Sequence, residues 1–534
     1  MEDKLRHFID NFEKEVADLS KQATTAYFDA SISGKEEDFS KASALQHKLS
    51  VIFADKDKFE ELKTFKEYGF TDPLLKRQVE RLYNEFAENQ FNPKLLEDII
   101  NLSAKVEEQF SIFRAEVNGK KYTDNQIDDV LRTSMDSEEL EKFWLASKQI
   151  GEVVKNDVLT LVNMRNKAAR ELGFENHHSM SLLLSEQDPV ELDRLFDELD
   201  ELTRDEFTRL KSVIDETLSK KYNIPEKELM PWHYQDKFFQ QGPKIFDVDL
   251  DKYYKNEDVV KLTREYYNGL ALQIDDMLEK SDLYEKEGKY QHAYCTDIDR
   301  GGDVRVVCNV KPNYRWMSTM LHEFGHAVYD KFVDKNLPWI LREHSHIFTT
   351  EAIAMLFGRM ASNPDWIKDM TGISENEKIK IADACFNSLK LEQLTFSRWV
   401  QVIYRFERKM YSNPDQDLNA LWWSLVEKYQ LLKKPEGRNS ADWAAKIHIS
   451  LYPAYYHNYI LGELTASQLN NYILEHFVET GSTSLANNKK AGEYLREKIF
   501  FPGALSHWND LIKDATGEEL NPKYYADQFV HNNR

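Results

Sequence analysis

The chain has 534 residues, 41% of them hydrophobic, and a formal net charge of −22. That length buries a large core and would allow several domains, while the negative charge argues against a nucleic-acid or anionic-membrane surface. Only 19 Gly and 14 Pro among Leu-rich and aromatic segments point to a mainly helical protein, and three cysteines (Cys295, Cys308, Cys385) are too few for a disulfide framework.

The first twenty residues carry Glu2, Asp3, Asp10, Glu13, Glu15 and Asp18, with Leu5, Phe8, Ile9, Phe12, Val16 and Leu19 on one helical stripe. This predicts a surface helix, not a signal-peptide core. No apolar run approaches the roughly twenty residues of a membrane span. A cytoplasmic location is therefore favoured, with a periplasmic or secreted one if a leader has been removed. Helical patterning continues to about Lys220, broken by polar turns such as Ile32–Lys35 and Asn118–Lys121. A Pro-marked stretch and further helices follow. The clearest β signal is Gln291–Val310, where His292–Ile298 and Val304–Val310 flank Asp299-Arg300-Gly301-Gly302 as a hairpin. Helices then run to Thr516, with a dense aromatic stretch from Trp422 to Tyr459.

The informative motif is His322-Glu323-Phe324-Gly325-His326, with Glu351 following in a second helical segment. Residues four apart on a helix stand one above the other, so His322 and His326 can offer two imidazoles to one ion. Glu323 can reach a water at that ion without ligating it. Glu351 would be the third ligand, leaving one position open, as a catalytic zinc requires and a structural zinc does not. Met317, Met320, Leu321, Phe324 and Val328 recur at helical spacing, so the motif lies on a buried amphipathic helix. There, two histidines and a glutamate are expensive to bury without a metal. His344 and His346 are expected in a loop or as support, since no helical geometry pairs them with His322.

A zinc peptidase also needs an edge strand for an extended peptide, oxyanion donors and a means of choosing the bond. His292–Thr296 lies just upstream of the motif and suits the strand. Lys446, His448, Tyr455, Tyr456 and Tyr459 lie downstream. Taken singly, these read equally as a solvated charge, a half-buried imidazole and core aromatics.

The chain resembles, as a bacterial-type member, the angiotensin-converting-enzyme family of zinc peptidyl-dipeptidases. The resemblance is carried by HEFGH, Leu337-Pro338-Trp339-Ile340-Leu341-Arg342-Glu343 and Thr350-Glu351-Ala352-Ile353. Weaker matches are Ala26–Ser31, Ala168–Phe174 and Leu421–Leu425. It implies one peptidase unit over residues 1–534. The fold would be a mainly α body of two lobes around a deep substrate cleft, with a small β hairpin beside the zinc site. N-terminal lid helices would span roughly 1–120 and a zinc-binding core roughly 285–460.

The resemblance also implies zinc on His322, His326 and Glu351, with Glu323 as general base and then acid. His292 would bind the peptide, with Ala293 and Cys295 offering backbone contacts. Lys446 and Tyr456 would anchor the substrate's terminal carboxylate, and His448 and Tyr459 would stabilise the oxyanion. The tyrosine assignment requires one inserted residue around Leu451-Tyr452-Pro453; without it the pair becomes Tyr455 and Asn458. Met355 replaces an acidic residue that supports a zinc histidine in the family. Val426 and Asn458 replace chloride-binding arginines, so chloride dependence is doubtful, and Gln291 replaces a cysteine. A carboxylate-binding glutamine falls near Trp232–Gln235.

The expected activity is zinc-dependent hydrolysis of short peptides with release of C-terminal dipeptides. The nearer alternative is a thimet-oligopeptidase-like endopeptidase, and the further one an inactive zinc-stabilised peptide-binding protein.

Overall fold

Helix makes up 69% of the computed structural model, which describes residues 1–246 and 248–531, so the mainly α expectation holds. The last three positions of the expected unit, 532–534, lie outside the described residues. Among the described residues, β structure is confined to two two-stranded antiparallel sheets. The first, β1 (Ala115–Val117) and β2 (Lys120–Tyr122), is a hairpin where only a polar turn is expected. Asn118 and Gly119 both have positive φ, 52° and 78°. This is the conformation an Asn-Gly pair favours in a two-residue hairpin.

The second sheet is the expected hairpin, shortened to β3 (Tyr294–Asp297) and β4 (Val304–Val307), with Asp297 opposite Val304. On its other side β4 meets Asp282, whose N–H donates to the Val306 carbonyl at 2.9 Å and whose carbonyl accepts from Cys308 N–H at 2.9 Å. β4 is therefore enclosed, and among the described residues β3 is the edge strand. Cys295, Cys308 and Cys385 are free thiols.

Three hydrophobic clusters organise the helices. One gathers the N-terminal helices (Leu5, Phe12, Leu62, Leu82, Phe86) against Trp339, Ile340 and Leu341. A second surrounds the HEFGH helix Tyr314–Phe332 and β4, and a third joins helix Pro93–Ile112 and the helices after it to the aromatic segment around Trp399 and Trp422. Helix Ile347–Gly358, which carries Glu351, and helix His457–Phe477 contribute to both of the larger clusters: Phe348 and Ile460 to one, Ile353 and Ala466 to the other. Buried residues occur on every face of the Glu351 helix (Phe348, Ala352, Ile353, Ala354, Leu356, Phe357). A helix apolar all round belongs between two cores, and this one holds its single carboxylate at their junction.

The N-terminal helix Glu2–Ser33 ends against the hairpin. Gly34 sits at φ 66°, and a Cβ there would lie 2.0 Å from the Gly288 carbonyl oxygen, so only glycine allows the approach. Ser31 Oγ meets Tyr294 OH at 2.5 Å, and the Ser31 carbonyl accepts from Tyr290 N–H at 2.8 Å. Further along, Glu343 pairs with Arg81 of helix Pro73–Glu88 and with Arg300 of the hairpin turn, the latter at 2.9 Å. The half-buried Leu-Pro-Trp to Arg-Glu run thus ties the N-terminal helices to the sheet.

Candidate active site

Two helices bring the motif residues together. The HEFGH helix is capped by Asn313, whose Oδ1 accepts from Trp316 N–H at 2.9 Å. The Glu351 helix is capped by His346, whose Nδ1 accepts from Phe348 N–H at 3.2 Å. The helices pack closely because Gly325 lacks a side chain: a Cβ there would stand 2.8 Å from Ala354 Cα. Helix His457–Phe477 approaches Glu351 through Gly462, where a Cβ would be 3.3 Å from Glu351 Cβ and 3.2 Å from Met355 Sδ.

The result is one compact donor group. Ligand atoms of His322, His326 and Glu351 lie within 4.8 Å of one another. Glu351 Oε2 is 3.7 Å from His322 Nε2 and 3.9 Å from His326 Nε2. The two rings stand 83° apart with centroids 4.9 Å apart. His326 Nδ1 meets Thr350 Oγ1 at 2.7 Å, which leaves Nε2 facing Glu351.

Burial lowers His322 to about 4 and His326 well below its ordinary value, so both imidazoles are neutral. Burial, with Glu351 nearby, raises Glu323 to about 8, and burial raises Glu351 to about 7. Two neutral imidazoles and carboxylates that resist ionising unaided form a donor set suited to a dication, whose charge would favour both carboxylates in their ionised form.

His344 and His346 are not in this group. His344 Nδ1 lies 3.7 Å from Asp330 Oδ1, and His346 serves as the cap.

The downstream residues converge on one another. Lys446 Nζ donates to Gln240 Oε1 at 2.7 Å and lies over the rings of Tyr456 (5.2 Å), Trp399 (5.5 Å) and Phe238 (5.8 Å). Tyr456 OH accepts from Trp399 Nε1 at 3.0 Å, and its ring meets His448 edge-on at 4.9 Å. Burial lowers Lys446 to about 8, opposed by Asp236, and lowers His448 to about 4. The short segment before Lys446 packs on Gly151, where a Cβ would lie 2.2 Å from the Ala441 carbonyl oxygen and 3.1 Å from Ala445 N. Next to Lys446 opens a cavity of about 880 Å³, lined by Phe110, Phe113, Tyr122, Ile127, Gln240 and Ile447 among others.

The downstream tyrosines pack on one another. Tyr459 contacts Tyr456 at 5.3 Å and Tyr455 at 5.5 Å between centroids. Burial raises the Tyr459 phenol, and the Glu351 charge adds to that rise. Burial raises the Tyr455 phenol, with Tyr459 and Glu351 adding to it. Asn458 is turned elsewhere: its Oδ1 accepts from Gln187 Nε2 at 2.8 Å.

On the strand side, Ala293 precedes β3, Cys295 lies within it opposite Val306, and His292 is exposed with its ring 5.4 Å from Tyr290.

Three residues carry more than their sequence positions suggest. Gln240 is the glutamine beside Lys446, five residues beyond the expected stretch. It sits in an irregular loop where Asp236 Oδ1 accepts from Phe238 and Gln240 N–H at 2.9 and 3.0 Å. Gln430 Nε2 donates to the Phe238 and Phe239 carbonyls at 2.9 Å each, pinning that loop. Thr350 is another, and its only sequence signal is adjacency to Glu351. Tyr455, expected only as half of the alternative pair with Asn458, is the third.

The chain is similar to Angiotensin-converting enzyme from Theromyzon tessulatum, 22% identical over 507 residues, covering 88% of this chain and 81% of that protein. It is similar to Carboxypeptidase 1 from Bacillus subtilis (strain 168), 26% identical over 265 residues, covering 44% of this chain and 51% of that one. It is also similar to Angiotensin-converting enzyme from Oryctolagus cuniculus, 23% identical over 436 residues, covering 73% of this chain. The chain spans about half of the Bacillus protein and 32% of the rabbit protein. The family model described as Angiotensin-converting enzyme matches residues 1–523, and the chain belongs to that peptidase family.

Proposed function

We propose that this chain is a zinc peptidase that hydrolyses short peptides near a free C-terminus, releasing dipeptides. The observation that carries the reading is the pairing of two groups. The first is the His322, His326 and Glu351 donor set with Glu323 buried beside it; the second is a half-buried lysine, Lys446, whose Nζ is held at 2.7 Å by a neutral amide. A lysine with an amide and tyrosines around it, and no carboxylate bonded to it among the described residues, is equipped to receive a substrate carboxylate.

His322, His326 and Glu351 would hold the zinc, which when bound polarises a peptide carbonyl and makes water a nucleophile near neutral pH. The chain's own residues do the rest. Lys446, Gln240 and Tyr456 bind the terminal carboxylate and fix the peptide's position. β3, with Ala293 and Cys295, offers backbone pairing to the extended substrate, and His292 borders the same strand. Glu323 takes a proton from the attacking water and delivers it to the departing amine. Tyr459 and His448 donate to the developing oxyanion, and Tyr455 stands next to Tyr459 as a further phenol on that side. With both arginine positions replaced, by Val426 and Asn458, the reaction proceeds without added chloride.

The Bacillus relative's name favours a second reading, release of a single C-terminal residue. Both readings need the carboxylate anchor and differ by one residue of reach. Mass analysis of products from peptides with free and amidated C-termini separates them. Dipeptides from free acids only support the first reading, single amino acids support the second, and equal cleavage of acid and amide rejects both in favour of internal cutting.

Among the described residues, no helix is long and apolar enough to cross a membrane.

A further inference from the structure

We propose that Thr350 is the residue that orients the metal ligand His326, doing with a neutral hydroxyl what a carboxylate would otherwise do. The inference rests on the reading of His322, His326 and Glu351 as metal ligands. An imidazole that binds a metal through one nitrogen nearly always donates its other N–H, and that bond sets both tautomer and ring orientation. Here the acceptor is Thr350 Oγ1, 2.7 Å from His326 Nδ1. Thr350 is buried and precedes Glu351 on the same helix, so one turn supplies both a ligand and the support of another ligand.

The neighbouring threonine isolates the role. A threonine inside a helix ordinarily bonds back to a carbonyl of the preceding turn. Thr349 does so, donating to the His346 carbonyl at 2.7 Å. It also lies 3.5 Å from Tyr329 OH, three residues beyond His326 on the facing helix. Consecutive hydroxyls thus stitch the two helices together, one at Tyr329 and one at His326. One turn further along, the residue that could offer an acid is Met355, which is half-buried and packs against helix His457–Phe477 at Gly462, where its sulfur fills the space a Cβ would need. No carboxylate is therefore available from that position.

A hydroxyl differs from a carboxylate in consequence as well as identity. It fixes the ring without drawing the Nδ1 proton away, so His326 remains a plain neutral donor. Affinity for the ion then depends on orientation more than on added ligand basicity.

The test is zinc affinity of the full-length metal-free protein, measured by competition with a chromophoric chelator. Thr350→Val keeps the shape and removes the acceptor, and is expected to weaken binding by about 10- to 100-fold. Thr350→Ser keeps the acceptor and is expected to bind as the parent does, with the thermal melting of the metal-free proteins unchanged. Should Thr350→Val fail to fold, Thr350→Ala is compared with Thr350→Ser in its place. If Val or Ala binds zinc like the parent while His326→Ala has lost it, the Thr350 role is wrong and the metal site stands. If Ser weakens binding as much as Val, packing and not the hydrogen bond is responsible, and the proposal falls. If His326→Ala binds zinc like the parent, the ligand assignment itself is wrong.

Discussion

Gly325 and Ala354 face each other across two helices so closely that a Cβ on Gly325 would lie 2.8 Å from Ala354 Cα. The glycine inside HEFGH is therefore a packing requirement, setting the distance between the helix with the histidines and the helix with Glu351. Gly325→Ala must push the helices apart, since the obstacle is backbone and cannot rotate away. Denaturant unfolding of the metal-free protein should show a loss of about 1–3 kcal/mol, as overpacked cores do. Unchanged stability would mean the two helices are not held at this separation.

Glu323 is buried next to Glu351 but is not one of the three clustered donors. Glu323→Gln should retain one zinc per chain by elemental analysis while kcat falls by about 10²- to 10⁴-fold, the usual scale for losing a positioned general base. Near-parental turnover would assign the proton transfer to another group.

Tyr459 and Asn458 are alternative candidates for the oxyanion donor, and their surroundings differ sharply. Tyr459→Phe is expected to lower kcat by about 10²- to 10³-fold with little change in KM. Asn458→Ala, acting on a residue bonded to Gln187, should affect stability more than kcat. Steady-state kinetics on both variants decides between them, and the opposite pattern would shift the register by one residue.

Lys446 gives the reaction an alkaline limb. Burial lowers the ammonium to about 8, so the cation is present below that pH and lost above it. For free-acid peptides, kcat/KM should fall about tenfold per pH unit beyond it, because this ratio reports the free enzyme. Amidated peptides, cleaved slowly, should lack this limb, and Lys446→Arg should remove it because a guanidinium stays charged. An identical limb for acid and amide would place the titration elsewhere.

Local patterning made part of this molecule legible in its sequence. The His322 and His326 pairing follows from a four-residue helical offset, and Glu351 from the apolar run around it. The second hairpin was readable from its alternation and its Gly-Gly turn. The first is not legible, although Asn118-Gly119 is a strong hairpin signal, because the flanking strands are three residues each and outwardly polar. Gln240, five residues beyond the stretch expected to hold the glutamine, lies in a loop that follows no periodicity. Its place is dictated by Asp236 and by Gln430, which is distant in sequence. Thr350 was unreadable for a different reason: its role exists only because Gly325 lets one helix reach the next. Side chains positioned by their own helix can be read from sequence, whereas those positioned by a neighbouring element need the fold.

The most direct test of the whole reading is mass spectrometry of the products from defined free-acid peptides incubated with the protein, with and without a zinc chelator. The proposed peptidyl-dipeptidase activity predicts C-terminal dipeptides that accumulate only without chelator. Hydrolysis that persists in chelator, or products lacking any C-terminal dipeptide, would contradict it.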